Sequence, residues 1–203
     1  MKKIYLFSAT PSSNVIHINT LDFDFFQPQI DFSKYHFLIL TSKKAVDALQ
    51  FYKREDYINI PALCISRFTK EYYENFGGKI LAVGNGIGSD LNKIIYTYPK
   101  ETKWLYLRAK EIASDALHVE EAIVYESRCS DEILNFSLDD KDAILIFTSP
   151  SSVKCFLKNN VLNEEQKVIV IGTTTAKALP TKTNYLISDK TSIDSCLELA
   201  SKF

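Results

Sequence analysis

Short apolar runs of four or five residues recur along the chain, each ending in a polar turn and followed by a helical pattern. FLIL at 37–40 leads into Thr41-Ser42 and then KKAVDAL, and ILIF at 144–147 leads into Thr148-Ser149 and then PSSVKCF. A second pair repeats downstream: ILAVGNGIGSDL at 80–91 and VIVIGTTTAKAL at 168–179, each a strand-like run ending in Gly before a helix start. Runs this short and this apolar predict strands buried on both faces, which belong in a parallel sheet covered by helices. The repeated order, strand–TS–helix then strand–Gly–helix, predicts two related α/β lobes. Their strand ends are expected to point hydroxyls and backbone amides at a common cleft, since ligands of open α/β sheets bind beyond the carboxyl ends of the strands.

The remaining pattern fills in the elements. Strands are predicted at 3–8, 62–65, 104–107, 122–127 and 185–187. Helices are predicted at 68–76 (stopped by Gly77-Gly78), 89–96, 112–117 and from about Ser192. ATPSSNV, after the first strand, is too short and too rich in Pro and Ser for a helix, so the chain turns directly into VIHINTLDFDFF. There the alternation of Phe23 and Phe25 with Asp22 and Asp24 has the period of a half-exposed strand. KIYLF near the N-terminus and KWLYL at 103–107 share a pattern, which suggests how the chain is divided. Residues 1–18 plus 130–203 form one discontinuous lobe, 36–118 form the other, and 19–35 and 119–129 are linker strands.

Composition narrows the function. The chain of 203 residues has 24 basic and 25 acidic side chains, which excludes the basic field of a general nucleic-acid binder. No apolar stretch approaches the ~20 residues of a membrane span, and the N-terminal apolar run is too short for a signal-peptide core. A cytoplasmic location is expected. Cys64, Cys129, Cys155 and Cys196 form no ligand-spaced pair, and Cys64 and Cys155 read as small buried hydrophobes without redox or metal roles. His17, His36 and His118 are isolated, so no metal site is expected.

The chemistry must then come from the turns. Gly172-Thr173-Thr174-Thr175 combines free amides, hydroxyls and the positive end of a helix dipole, a site for an anionic oxygen. Capping by a single threonine is the plainer alternative. Thr41-Ser42 and Thr148-Ser149 sit equivalently, as caps or as ligand contacts. Gly84-Asn85-Gly86-Ile87-Gly88 is too loose a match for a dinucleotide fingerprint but reads as an anion-cradling turn. Tyr125, in the polar-facing alternation of AIVYES, offers a phenol as hydrogen-bond donor or weak acid. Arg108, ending YLR, is a candidate anion contact or a solvated charge. No catalytic triad, carboxylate pair or Walker loop is present.

TSKKAVDAL, AVGNGIGSDL, YLRAKEIASDAL, EAIVYES, ILIFTSPSSVKCFL and VIVIGTTTAKAL together resemble the uroporphyrinogen-III synthase family in order and spacing. The resemblance implies two parallel-sheet α/β lobes of flavodoxin or Rossmann type, joined by a two-stranded β linker. It also implies a cofactor-free, monomeric enzyme that closes hydroxymethylbilane, a linear tetrapyrrole with eight carboxylates, while inverting the last ring and losing water. Transient hand-over from the preceding pathway enzyme, and no nucleic-acid or membrane partner, go with that role. Tyr125 matches the tyrosine proposed to assist departure of the hydroxyl. Ser149, Thr174 and Thr175 match the family's second-lobe serine and threonines. The chain departs from the family at Ile87, where many members have Thr, and after the first strand, where a helix is missing. The competing reading from the residues alone is a non-catalytic two-lobed binding or sensor protein for a small anion.

Overall fold

The computed structural model describes residues 2–111 and 119–203; the helix expected at 112–117 and His118 lie outside them. The described chain divides into two compact units, one split in sequence (1–22 and 128–203) and one continuous (23–127).

The split unit is built on a five-stranded sheet in the order β11-β10-β9-β1-β2. The strands are β1 (Ile4–Ser8), β2 (Ile16–Asn19), β9 (Ile144–Phe147), β10 (Lys167–Val170) and β11 (Tyr185–Ile187). All four of its neighbouring pairs are parallel. Alternate residues of one strand serve opposite faces. Leu145 and Phe147 join the core of Phe7, Val153 and Phe156, whereas Ile144 and Ile146 join Leu6, Ile169 and Cys196. Covering both faces is what turns these strands into unbroken apolar runs.

The continuous unit carries a six-stranded sheet, β3-β8-β7-β4-β5-β6. Its strands are β3 (Leu21–Phe25), β4 (Phe37–Leu40), β5 (Ala62–Cys64), β6 (Ile80–Val83), β7 (Trp104–Ala109) and β8 (Glu120–Cys129). The five strands from β8 to β6 pair parallel. Leu38 and Leu40 pack on one face with Val46, Leu49 and Tyr73; Ile39 packs on the other with Leu91, Trp104 and Tyr106. β3 and β8 are neighbours in this sheet and both pass from one unit to the other.

The helices are α1 (Lys43–Ala48), α2 (Arg54–Tyr57), α3 (Arg67–Asn75), α4 (Gly88–Ile95), α5 (Asp131–Asn135), α6 (Pro150–Phe156), α7 (Thr173–Ala176) and α8 (Ile193–Ala200). Short α2 and α5 were not legible in the pattern, because one helical turn leaves no period to detect. Gly77 adopts φ +92° past the end of α3, the left-handed stop that the Gly-Gly pair announces. No helix intervenes between β1 and β2, which nevertheless pair in parallel, Tyr5 beside Ile16. The VIHINTLDFDFF segment forms two strands, β2 and β3, parted at Thr20, which is fully buried.

One expectation is overturned. Cys155 is not a lone buried thiol: it forms a disulfide with Cys129, with the two Cα atoms 5.4 Å apart. The end of β8 and the last turn of α6 meet only through folding, and a separation of 26 residues carries no spacing signal. Cys64 and Cys196 are free and buried, and burial pushes the Cys64 thiol up to about 12.

Candidate active site

Every predicted site residue but Arg108 and Tyr125 sits in a turn just after a strand or, for Thr173, Thr174 and Thr175, in the helix that follows it, the position where a parallel sheet exposes backbone amides. In the continuous unit, Ser42 follows β4 and caps α1: its Oγ accepts the Ala45 N–H at 3.1 Å from an extended backbone (φ −156°, ψ 158°). The same Oγ lies 2.8 Å from the Tyr125 hydroxyl. Thr41 Oγ1 is 3.0 Å from the hydroxyl of Tyr106, a buried tyrosine that sequence reasoning did not single out. Two hydroxyl pairs therefore form at the end of β4, one with Tyr106 from one face of the sheet and one with Tyr125 from the other.

Tyr125 does not follow the polar-facing alternation expected of it. Arg108 pairs with Ile123 but Ala109 pairs with Tyr125, so Val124 is an extra residue in β8. This bulge turns both Val124 and Tyr125 toward the core, and Tyr125 is only 9% exposed, between Phe23 and Phe25. Burial raises its pKa and the Ser42 hydrogen bond pulls it back, so the phenol keeps its proton at neutral pH. Burial likewise raises Tyr106.

The turn after β6 is self-contained. An added Cβ at Gly84 would meet the Ile65 carbonyl oxygen at 2.9 Å and Leu91 Cδ2 at 2.8 Å, so the fold itself requires this glycine. Asn85 accepts the Ile87 N–H at 3.1 Å and donates to Asp90 at 2.5 Å. Lys93 and Asn85 hold Asp90 below the usual carboxylate range. The backbone N–H groups of Gly84, Gly86 and Ile87, which the anion-cradle reading reserves for a ligand, thus already donate to the Cys64 carbonyl, the Ile65 carbonyl and Asn85 Oδ1.

In the split unit, Ser149 caps α6 from the same backbone conformation (φ −158°, ψ 159°). Its Oγ accepts the Ser152 N–H at 3.0 Å, while Ser152 Oγ accepts the Ser149 N–H at 3.1 Å. Thr148 donates its hydroxyl to the Phe7 carbonyl at 3.3 Å. α7 differs, because Gly172 at its start supplies no side-chain cap. Thr173 and Thr174 are exposed. Thr175 is 3% exposed and turns inward, which corrects its place among the ligand contacts: a helix that packs one face on the sheet must bury every third or fourth residue. The Gly172 backbone is extended, and an added Cβ would meet only Thr191 Cγ2 at an ordinary 3.6 Å. The fold does not require this glycine.

Arg108 is a half-hidden ion pair. Its Nε donates to Glu121 at 2.6 Å and its Nη1 donates to the carbonyls of Ala109 and Lys110. That pairing offsets the charge an anion contact would use. A cavity of about 530 Å³ against Lys3, Ile4, Ile16, Ile144 and Phe203 lies at the amino ends of β1, β2 and β9, the opposite end of that sheet from Thr148 and Gly172. Among the described residues no cluster of His, Cys, Asp and Glu could hold a metal ion, and no helix is long and apolar enough to cross a membrane.

Residues 12–198 match the family model described as uroporphyrinogen-III synthase HemD. The chain belongs to the uroporphyrinogen-III synthase family. Membership makes it a cyclising enzyme of tetrapyrrole biosynthesis. The crystal structure of uroporphyrinogen-III synthetase from Helicobacter pylori is similar over 100% of this chain and 99% of that one, with 28% identity and a TM-score of 0.84. A mutant uroporphyrinogen III synthase from Thermus thermophilus shares the fold at 14% identity and a TM-score of 0.61, over 100% of this chain and 98% of that one. No curated protein sequence matches this chain.

Proposed function

We infer that the protein is a uroporphyrinogen-III synthase, closing hydroxymethylbilane to the macrocycle with inversion of the last ring and loss of water. The family match over residues 12–198 carries this reading. The substrate's eight carboxylates call for many anion contacts, and near-zero net charge means that amides and hydroxyls must supply most of them. In the split unit the contacts are Gly172, Thr173 and Thr174 at the uncapped start of α7, with Thr148 and Ser149 beside β9. In the continuous unit the contact is Thr41, because the polar groups of the Gly84-Asn85 turn are taken up within the protein. Gly172 supports this assignment, since it lacks a side chain at a position where the fold would tolerate one.

Tyr125 is the proton donor. As the C–O bond of the hydroxymethyl group breaks, the electron pair leaves with oxygen and the phenolic proton converts it to water. Ring closure later releases a proton from carbon, which restores the phenol. The pyrrole nitrogen already drives this ionisation, so the protein's main contribution is to hold the ends of a flexible chain in the reactive arrangement.

The organisation that goes with this role has lobes at 1–18 plus 130–203 and 36–118, with linkers at 19–35 and 119–129. A monomeric, cytoplasmic enzyme receiving substrate from the preceding reaction fits it. The deciding experiment supplies hydroxymethylbilane to purified protein and separates the isomers. The type III product is expected; formation of only the spontaneous type I isomer would refute the reading. Tyr125→Phe should lower kcat by about tenfold or more, and an undiminished kcat would remove Tyr125 from the chemistry.

A further inference from the structure

Ser42 stands among the expected substrate contacts, yet its hydroxyl is committed inside the protein. It accepts the Ala45 N–H at 3.1 Å and faces the Tyr125 hydroxyl at 2.8 Å. The cap hydrogen bond fixes where Oγ sits, because Ala45 and Ser42 belong to the first turn of one helix. The hydroxyl hydrogen remains free to rotate. Tyr125 is in turn immobilised by the bulge in β8 and by Phe23 and Phe25. The contact is therefore between two fixed oxygens, one of which loses its proton in the reaction proposed above.

We propose that Ser42 is a positioning residue for Tyr125, donating its hydroxyl hydrogen to the phenolic oxygen while the phenolic hydrogen goes to the departing hydroxyl. The inference rests on the reading of Tyr125 as proton donor. As that proton leaves, negative charge grows on a nearly buried oxygen, where an uncompensated anion is costly. The Ser42 hydrogen bond becomes charge-assisted at that moment and strengthens, so it favours the transition state over the ground state. The Ala45 N–H on Ser42 Oγ, at the positive end of α1, polarises the hydroxyl in the same direction. Ser149 makes the opposite use of an identical cap, since Ser152 closes it reciprocally.

Three substitutions separate capping from donation. Ser42→Asp keeps an acceptor for Ala45 but has no hydrogen to give, and draws the Tyr125 proton away from substrate. Ser42→Thr keeps both functions, and the extended backbone at this position suits a β-branched residue. Ser42→Ala loses both. Each is measured for kcat and KM on hydroxymethylbilane, alone and combined with Tyr125→Phe. The expected result is a kcat about tenfold or more lower for Ser42→Asp with KM within about threefold, most of the rate retained by Ser42→Thr, and no further loss when Ser42→Asp is added to Tyr125→Phe. If Ser42→Asp does not fold, the Ser42→Ala combination reads the same coupling. Equal losses with and without the Tyr125 hydroxyl, or a raised KM at constant kcat, would overturn the proposal while leaving an active wild-type enzyme. Wild-type protein yielding only type I isomer would overturn the parent reading together with it.

Discussion

The two Thr-Ser turns begin from nearly the same backbone, yet their hydroxyls are put to different use. Ser42 and Ser149 agree within a few degrees in φ and ψ, and each accepts an N–H three residues on. Around Ser149 the cap closes on itself through Ser152, and Thr148 turns to the Phe7 carbonyl. Around Thr41 and Ser42, two buried tyrosines from neighbouring strands bring their hydroxyls to the same turn. The second repeated turn diverges in the other direction. After β6, the glycine is demanded by a backbone oxygen and the polar groups satisfy one another. After β10, the glycine is free of steric demand and the helix start is left without a side-chain cap. A shared local grammar thus brings two tyrosine hydroxyls to a turn in one unit and leaves an uncapped helix start in the other, because neighbours distant in sequence decide which polar groups remain available.

The strongest test of this contrast concerns what holds each unit together. Reducing the Cys129–Cys155 bond, or replacing Cys129 with Ser, should destabilise the split unit by about 3 kcal/mol, from the entropy of a loop of this length. Hydrogen exchange during denaturant titration should show the loss in 1–22 and 128–203 alone, and equal protection with and without reductant would contradict it.

Next comes the pair of glycines. Gly84→Ala forces a methyl group against the Ile65 carbonyl and should cost about 2 kcal/mol in the continuous unit. Gly172→Ala should change stability by less than about 0.5 kcal/mol while raising KM. If both substitutions prove equally destabilising in thermal melts, the distinction between a structural and a ligand-facing glycine fails.

The smallest stability effect is expected at the caps. Ser42→Ala and Ser149→Ala should each cost about 1 kcal/mol, but divide in kinetics: the first lowers kcat, the second raises KM. Identical kinetic signatures would mean that the two turns do the same job.

Much of the fold was written in local pattern. Runs such as FLIL and ILIF can be buried on both faces only in a covered parallel sheet, and the order of the repeats carried the family resemblance. Sequence also placed Ser42 and Ser149 at helix starts and left β1 and β2 without a helix between them, since caps and turns depend on neighbours within a few residues. What it misjudged required long-range register. One extra residue in β8 reversed the facing of Tyr125, Glu121 claimed Arg108 from the adjacent strand, Thr175 turned inward with its helix, and Cys155 found Cys129. Periodicity specifies which residue types alternate, but a single bulge inverts the alternation beyond it. Only tertiary pairing decides where that bulge falls, and with it which hydroxyl meets the phenol.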